Sequence, residues 1–161
     1  RRGYGVLLTD HKGSHGSFPV PYLRIRETFD FLQNWDESYH FITELGTKIP
    51  TYPPEDRTDQ YLVHECMSTV FIRAIREDNG RYSFQGDCDT STVKGVVAIL
   101  LAMLAGKTAT KIEQFDADSG FEDLGLFEHL SPTRHVGVYA MVRRVKRQVR
   151  ALEASSPETR Q

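Results

Sequence analysis

Cysteine is nearly absent from this 161-residue chain, which has only Cys66 and Cys88. So few thiols exclude the disulfide framework that staples small secreted domains, and they cannot fill a four-thiolate zinc site; the fold has to rest on its own core, and a reducing compartment is expected. An excess of charge of one sign is missing too. The 20 Lys and Arg stand against 22 Asp and Glu, for a net charge of -2, so no overall field draws in nucleic acid or an anionic membrane. Long apolar runs are also lacking: the longest, Val96 to Ala105, stops at Gly106-Lys107, short of what a bilayer requires. These absences leave one domain of ordinary composition with no nucleic-acid or membrane partner, placed in the cytoplasm or, in a eukaryote, in an organellar stroma or matrix.

Residues 1–21, rich in Gly, His, Ser and Pro, read as a flexible leader, 22–154 as the folded domain and 155–161 as a frayed polar tail,. Leu23, Ile25, Phe29 and Leu32 approach helical spacing and predict a helix from Tyr22 to Gln33,. Asp36 as N-cap and Gly46 as left-handed stop frame a second helix around Tyr39, Phe41, Ile42 and Leu45, and Pro50, Pro53 and Pro54 then impose a loop,. Met67 to Arg76 alternates like a strand, Asn79-Gly80 signals a two-residue type I′ turn, and Tyr82 to Gln85 returns,. That register sets Cys88 opposite Phe71 and leaves Cys66 about 16 Å further along, at about 3.3 Å per residue, so a disulfide between them needs a sharp bend in the chain.

Asp89-Thr90-Ser91 then supply caps for an apolar core helix running from Val93 to Leu104, in which Gly95 marks the close approach of another backbone,. A short helix near Thr110 to Phe115 and a loop from Asp116 to Gly120 follow. Ser131 and Pro132 open a long terminal helix with a buried stripe of Val138, Met141, Val142, Val145, Val149 and Leu152, and its basic residues read as a solvated face,.

The stretch Val63-His64-Glu65-Cys66-Met67-Ser68-Thr69-Val70-Phe71 carries the candidate reactive centre. A working thiol acts as thiolate and needs a polar setting; His64 and Glu65 could tune it, and Ser68 and Thr69 offer hydroxyls. Two other readings stand beside it. Cys66 could be the nucleophile of a hydrolase with His129 or His135 as base, although no orienting group or oxyanion loop completes that arrangement. His64, Cys66 and Cys88 with a carboxylate could form a metal-binding module, although the spacing fits no closed zinc pattern.

Leu45-Gly46 through Pro50, Asp56-Arg57, the cysteine stretch, Gln85-Gly86-Asp87-Cys88-Asp89, Val93-Lys94-Gly95 and His129-Leu130-Ser131-Pro132-Thr133-Arg134 together resemble, in order and spacing, the SufE/CsdE family of sulfur-acceptor proteins. The resemblance implies an α+β fold, SufE-like or IscU-like, with a small antiparallel sheet (a hairpin plus a third strand) against several helices. It implies that Cys66 carries a transient persulfide, taken from a PLP-dependent cysteine desulfurase of the SufS/CsdA type and passed to a SufBCD-type iron-sulfur scaffold. On this reading the chain is not itself an enzyme but activates one. The PLP belongs to the partner, and the chain, a monomer or weak homodimer, holds no cofactor or metal. Asp87, Asp89, Glu122 and Arg134 are implied in partner binding and in control of the cysteine loop. The chain departs from the common pattern at Glu65, where many members have glycine, at Phe71, where many have tryptophan, and at Cys88, where a small residue such as serine is frequent. Glu65 is expected to place a like charge beside the thiol.

Overall fold

The structure, a computed structural model, describes residues 20–156; the expected leader, apart from Val20 and Pro21, and most of the polar tail lie outside the described residues. Helix α1 (Tyr22–Phe31) leads into α2 (Trp35–Gly46), a 3-10 turn at Pro54–Asp56, strands β1 (Val70–Arg76) and β2 (Tyr82–Cys88), then α3 (Ser91–Leu104), α4 (Ala109–Gln114), α5 (Ala117–Glu122) and α6 (Pro132–Ala154). The class is α+β, as expected.

α3 is the centre of the molecule. It is buried all round, with α2 packed on one side and β2 on another, while α6 packs on β1. The α2–α3 contact is close because both helices present glycine to it. A Cβ on Gly95 would lie 2.0 Å from the carbonyl oxygen of Ile42, and one on Gly46 would lie 2.9 Å from the Gly95 nitrogen. Gly95 therefore has the role its position suggests, whereas Gly46 is not a left-handed stop. It is the buried last residue of α2, and the C-cap is Thr47 in the right-handed region. The N-cap also differs from expectation. Asn34, not Asp36, accepts from the Glu37 backbone N–H at 2.9 Å, and Glu37 Oε1 accepts from the Gln33 N–H at 2.7 Å. Glu37 is thus held by the cap residue and reaches back past it to the residue before, and Asp36 sits within the first turn, where its charge suits the helix dipole,.

The hairpin forms, but its register differs by one residue: Val70 pairs with Cys88 and Phe71 with Asp87. Asp78, Asn79 and Gly80 all belong to the turn, with Gly80 at φ 82, and Glu77 exchanges hydrogen bonds with Gly80 and Arg81. A longer turn ending in a left-handed glycine replaced the two-residue turn. Buried Val70, Ile72 and Ala74 consequently face the core together with Tyr82, Phe84 and Cys88.

The sheet is two-stranded; the expected third strand is not formed among the described residues. In its place, Leu62 makes an isolated bridge to Phe71, with hydrogen bonds from Val63 N–H to Val70 O and from Ile72 N–H to Tyr61 O, both 2.9 Å. Further along the same edge the Gln148 side-chain amide of α6 takes over: Nε2 donates to Ile72 O at 2.8 Å and Oε1 accepts from Ala74 N–H at 2.7 Å. One amide thus satisfies backbone groups that a strand would otherwise pair. We expect Gln148→Leu to lower stability by roughly 2–4 kcal/mol in urea titration, since it orphans a buried donor and acceptor. A loss below about 0.5 kcal/mol, the ordinary surface range, would show that the edge is not held this way.

The stretch expected as a loop from Asp116 to Gly120 is largely helical. Asp116 caps α5 by accepting from the Ser119 N–H and hydroxyl at 3.3 and 2.8 Å, and fully buried Phe121 anchors the helix by stacking on Phe127 at 5.1 Å. The terminal helix opens on Ser131 and Pro132 as predicted. On its basic face Arg144 donates to Leu62 O, Lys146 to Phe115 O, and Arg150 pairs with Glu113. Much of that charge is therefore bound within the chain.

Candidate functional site

The bridge at Leu62–Phe71 closes the base of a loop, His64 to Thr69, that carries Cys66. Its far side is fastened to the corner between β2 and α3. Thr69 N–H donates to Asp89 Oδ1 at 3.1 Å, Asp89 N–H donates to Thr69 O at 3.2 Å, and the Ser68 and Thr90 hydroxyls lie 2.9 Å apart. The expected cap is absent: Thr90 is the N-cap of α3 without a side-chain cap bond, and Asp89 serves the loop instead.

Within this loop Met67 points outward, 86% exposed, and Cys66 turns inward. The half-buried Cys66 lies on a cavity of about 440 Å³ whose depth is apolar, with Val93 and Val96 from α3 and Val138 and Met141 from α6, and whose rim is polar, with Ser131, Thr133 and Arg134. Gly137 makes room for the sulfur, since a Cβ there would stand 3.0 Å from Cys66 Sγ. Burial pushes the thiol pKa up, the Ser68 backbone N–H pulls it down, and the Asp89 carboxylate pushes it up again. The like charge acting on the thiol is thus Asp89 and not Glu65, because Glu65 and His64 sit exposed on the outer part of the loop.

The residues singled out from the sequence separate clearly. Cys66, Ser68 and Arg134 line the cavity, and Asp89 latches the loop. Arg134 is exposed and makes no ion pair among the described residues. Asp87 belongs to the other face of the hairpin. Burial raises its pKa, but hydrogen bonds from Arg57, Lys94 and the Cys88 N–H outweigh that and hold its carboxyl below the usual range. It ties the 54–57 turn to α3 and does not line the cavity. Glu122 lines a separate hollow with Asp118, Gly125, Phe127 and Glu128. The sequence reading passed over Gly137 and the apolar lining. A glycine in the interior of a long helix was the available signal for the first, by the reasoning applied to Gly95.

The two alternative chemistries find little to work with. His129 stacks on Trp35 with centroids 4.2 Å apart, and His135 Nε2 lies 2.5 Å from the Phe127 carbonyl oxygen, so both proposed bases are engaged with other groups. Among the described residues no three His, Cys, Asp or Glu side chains gather into a metal-holding group, and none of the helices is long and apolar enough to cross a membrane.

A family profile described as "SufE: Fe-S metabolism associated domain" matches residues 23–149, nearly the whole described chain. The chain belongs to the SufE family. Cys66, the latched loop and the cavity all lie inside the matched SufE domain, which places the protein in iron-sulfur metabolism. The SufE-like fold is shared with a solved structure, the solution structure of a hypothetical protein from Thermus thermophilus, at 25% identity and a TM-score of 0.68 over 83% of this chain and 96% of that one.

Proposed function

We propose that this SufE-family protein is a sulfur carrier. Cys66 accepts sulfane sulfur from the persulfide of a PLP-dependent cysteine desulfurase of the SufS/CsdA type, relieves that enzyme of its product, and hands the sulfur to a SufBCD-type scaffold. The chain has no independent turnover and works in the cytoplasm, or in a stroma or matrix. The observation that supports this reading best is the thiol itself, which faces the cavity of a SufE domain and is carried on a loop held by few bonds. Acceptance is a thiol–disulfide-type exchange: the Cys66 thiolate attacks the outer sulfur of the donor persulfide, the donor cysteine leaves as thiolate, and no net oxidation occurs. An inward thiol with a raised pKa performs this poorly, so the loop has to release before transfer. The cavity then suits the loaded state, because apolar walls keep water and stray thiols from a reactive persulfide. Labelled cysteine supplied to the desulfurase, followed by intact mass of this chain, tests the reading; one added sulfur on Cys66 is expected, and its absence overturns it.

Asp89 and Arg134 take different parts in this scheme, the first as latch and the second as docking cation. Asp89→Ala removes the acceptor for Thr69 N–H and a like charge near the thiol, so alkylation of Cys66 should speed up about fivefold, equivalent to one hydrogen bond of about 1 kcal/mol. Arg134→Ala should leave both alkylation and melting temperature unchanged, as it makes no ion pair within the described chain, while weakening desulfurase binding and flattening its salt dependence. Unchanged affinity for Arg134→Ala, or unchanged alkylation for Asp89→Ala, would remove the corresponding role.

A further inference from the structure

Gly137 sits buried in the interior of α6, where glycine weakens a helix relative to alanine. No turn calls for it there, because the glycines with positive φ among the described residues are Gly80, Gly106 and Gly125. Nor does another backbone press on it, as the Ile42 carbonyl presses on Gly95. Outside its own stretch of helix, the atoms that a Cβ at position 137 would meet within 4 Å are Cys66 Sγ at 3.0 Å and Cys66 Cβ at 3.8 Å. The second distance is ordinary contact, whereas the first is inside the optimum of about 3.5–4.0 Å for non-bonded atoms. The absent methyl of α6 therefore answers to one atom, the sulfur. The two sides of this contact differ in rigidity. α6 is fixed by buried Val138, Met141 and Val145, while the loop bearing Cys66 is fastened on its far side by the Thr69–Asp89 bonds and the Ser68–Thr90 hydroxyl pair.

We infer that Gly137 is a positioning residue: the gap it leaves in α6 seats the Cys66 sulfur inward and sets the balance between the sheltered and released positions of the loop. For the bare thiol the inference stands on the geometry, and for a loaded sulfur it rests on the reading of Cys66 as a persulfide carrier. A side chain at position 137 competes with Sγ for one volume. The loop is held by fewer contacts than the helix, so the loop gives way and Cys66 moves from the cavity wall toward solvent. In the loaded state the outer sulfur extends about 2 Å beyond Sγ, an S–S bond length, and the cavity shelters it only while Sγ keeps its seat. One methyl on α6 should therefore expose the persulfide as well as the thiol.

The test uses the full chain and Gly137→Ala in two backgrounds. With Cys66→Ala the sulfur is gone, and the methyl should raise the melting temperature by roughly 3 °C through helix propensity. With Cys66 in place that gain should be absent or reversed. The difference between backgrounds measures the coupling of the two side chains, which a role in helix formation alone does not produce. Alkylation of Cys66 by iodoacetamide should be at least about fivefold faster in Gly137→Ala, the shift in loop equilibrium that the lower end of overpacking energies gives. Its pH midpoint should fall as the thiol leaves its buried seat. After loading with sodium tetrasulfide, glutathione should strip the outer sulfur from Gly137→Ala faster by a similar factor. In that step the glutathione thiolate bonds to the outer sulfur, the bonding pair stays on Cys66 Sγ, and no net oxidation occurs. The same melting shift in both backgrounds, or alkylation unchanged or slowed, overturns the inference. Equal stripping despite faster alkylation overturns its extension to the persulfide. No label on wild-type Cys66 overturns the carrier reading and that extension with it, while the melting shifts and alkylation rates still decide the seat.

Discussion

Cys66→Ser is expected to abolish sulfur acceptance and stimulation of the desulfurase while leaving the fold intact. Serine fills almost the same space on the cavity wall beside Gly137 and keeps the Ser68 N–H as a partner, so the melting temperature should move by no more than the few degrees that roughly 1 kcal/mol represents in a domain of this size. The hydroxyl, by contrast, stays protonated at every accessible pH and forms no persulfide. The loss should therefore be complete. Retained stimulation by the folded variant would mean that the chain activates its partner by contact alone. The wild-type thiol also sets a pH dependence. Because burial and Asp89 raise its pKa, the alkylation rate of the free protein should climb with pH through a midpoint above the ordinary thiol value of 9.0. Asp89→Asn, which keeps the shape and removes the charge, should move that midpoint down. The sign for stability is opposite: a thiol kept protonated by the fold contributes stability below its unfolded pKa, and that contribution is lost as pH rises through the folded value. For Cys88 the window runs from its ordinary value of 9.0 to about 11.

Gly95→Ala is expected to be the most damaging single methyl in the chain. Alanine favours a helix over glycine by about 1 kcal/mol, and on an exposed helix the substitution would stabilise. Here the new Cβ would stand 2.0 Å from the Ile42 oxygen and 2.6 Å from its carbonyl carbon. Those are backbone atoms inside α2, so no rotamer change relieves the clash, and the two helices have to separate along the contact that anchors the core. Overpacking of this kind costs about 3 kcal/mol or more, so thermal unfolding should begin roughly 10 °C lower. Because α3 carries Val93 and Val96, the cavity wall would shift as well, and Cys66 should become easier to alkylate. An unchanged melting temperature would show that α2 gives way more easily than its burial implies.

The sequence alone determined most of the elements, because their signals are local. Helical periodicity, Ser131-Pro132 at the head of α6, the alternation of β1 and the close-approach glycine at position 95 depend on residues a few places apart, and the backbone obeys them directly. Local sequence made Cys66 a candidate, and the ordered set of separated motifs resembling the SufE/CsdE family singled it out. Some misses were also local and could have been read: Asn34 stands three residues before Glu37, the N-cap spacing for the N–H it accepts, and Gly137 interrupts a long helix as plainly as Gly95 does. The hairpin register was decided by the turn. Asn79-Gly80 is compatible with more than one loop length, and burying Val70 and Ile72 together with Phe84 and Cys88 selected the longer one, since a slip of one residue exchanges the faces of a strand. What tertiary structure alone decided is whatever joins groups distant in the chain. Gln148 stands in for a third strand 76 residues away from Ile72, Asp89 rather than neighbouring Glu65 supplies the like charge at Cys66, and Gly137 of the terminal helix makes room for the Cys66 sulfur. Sequence proximity could not foretell these, because burial makes an electrostatic or hydrogen-bonding contact strong according to distance and dielectric in space, and neither quantity is written along the chain.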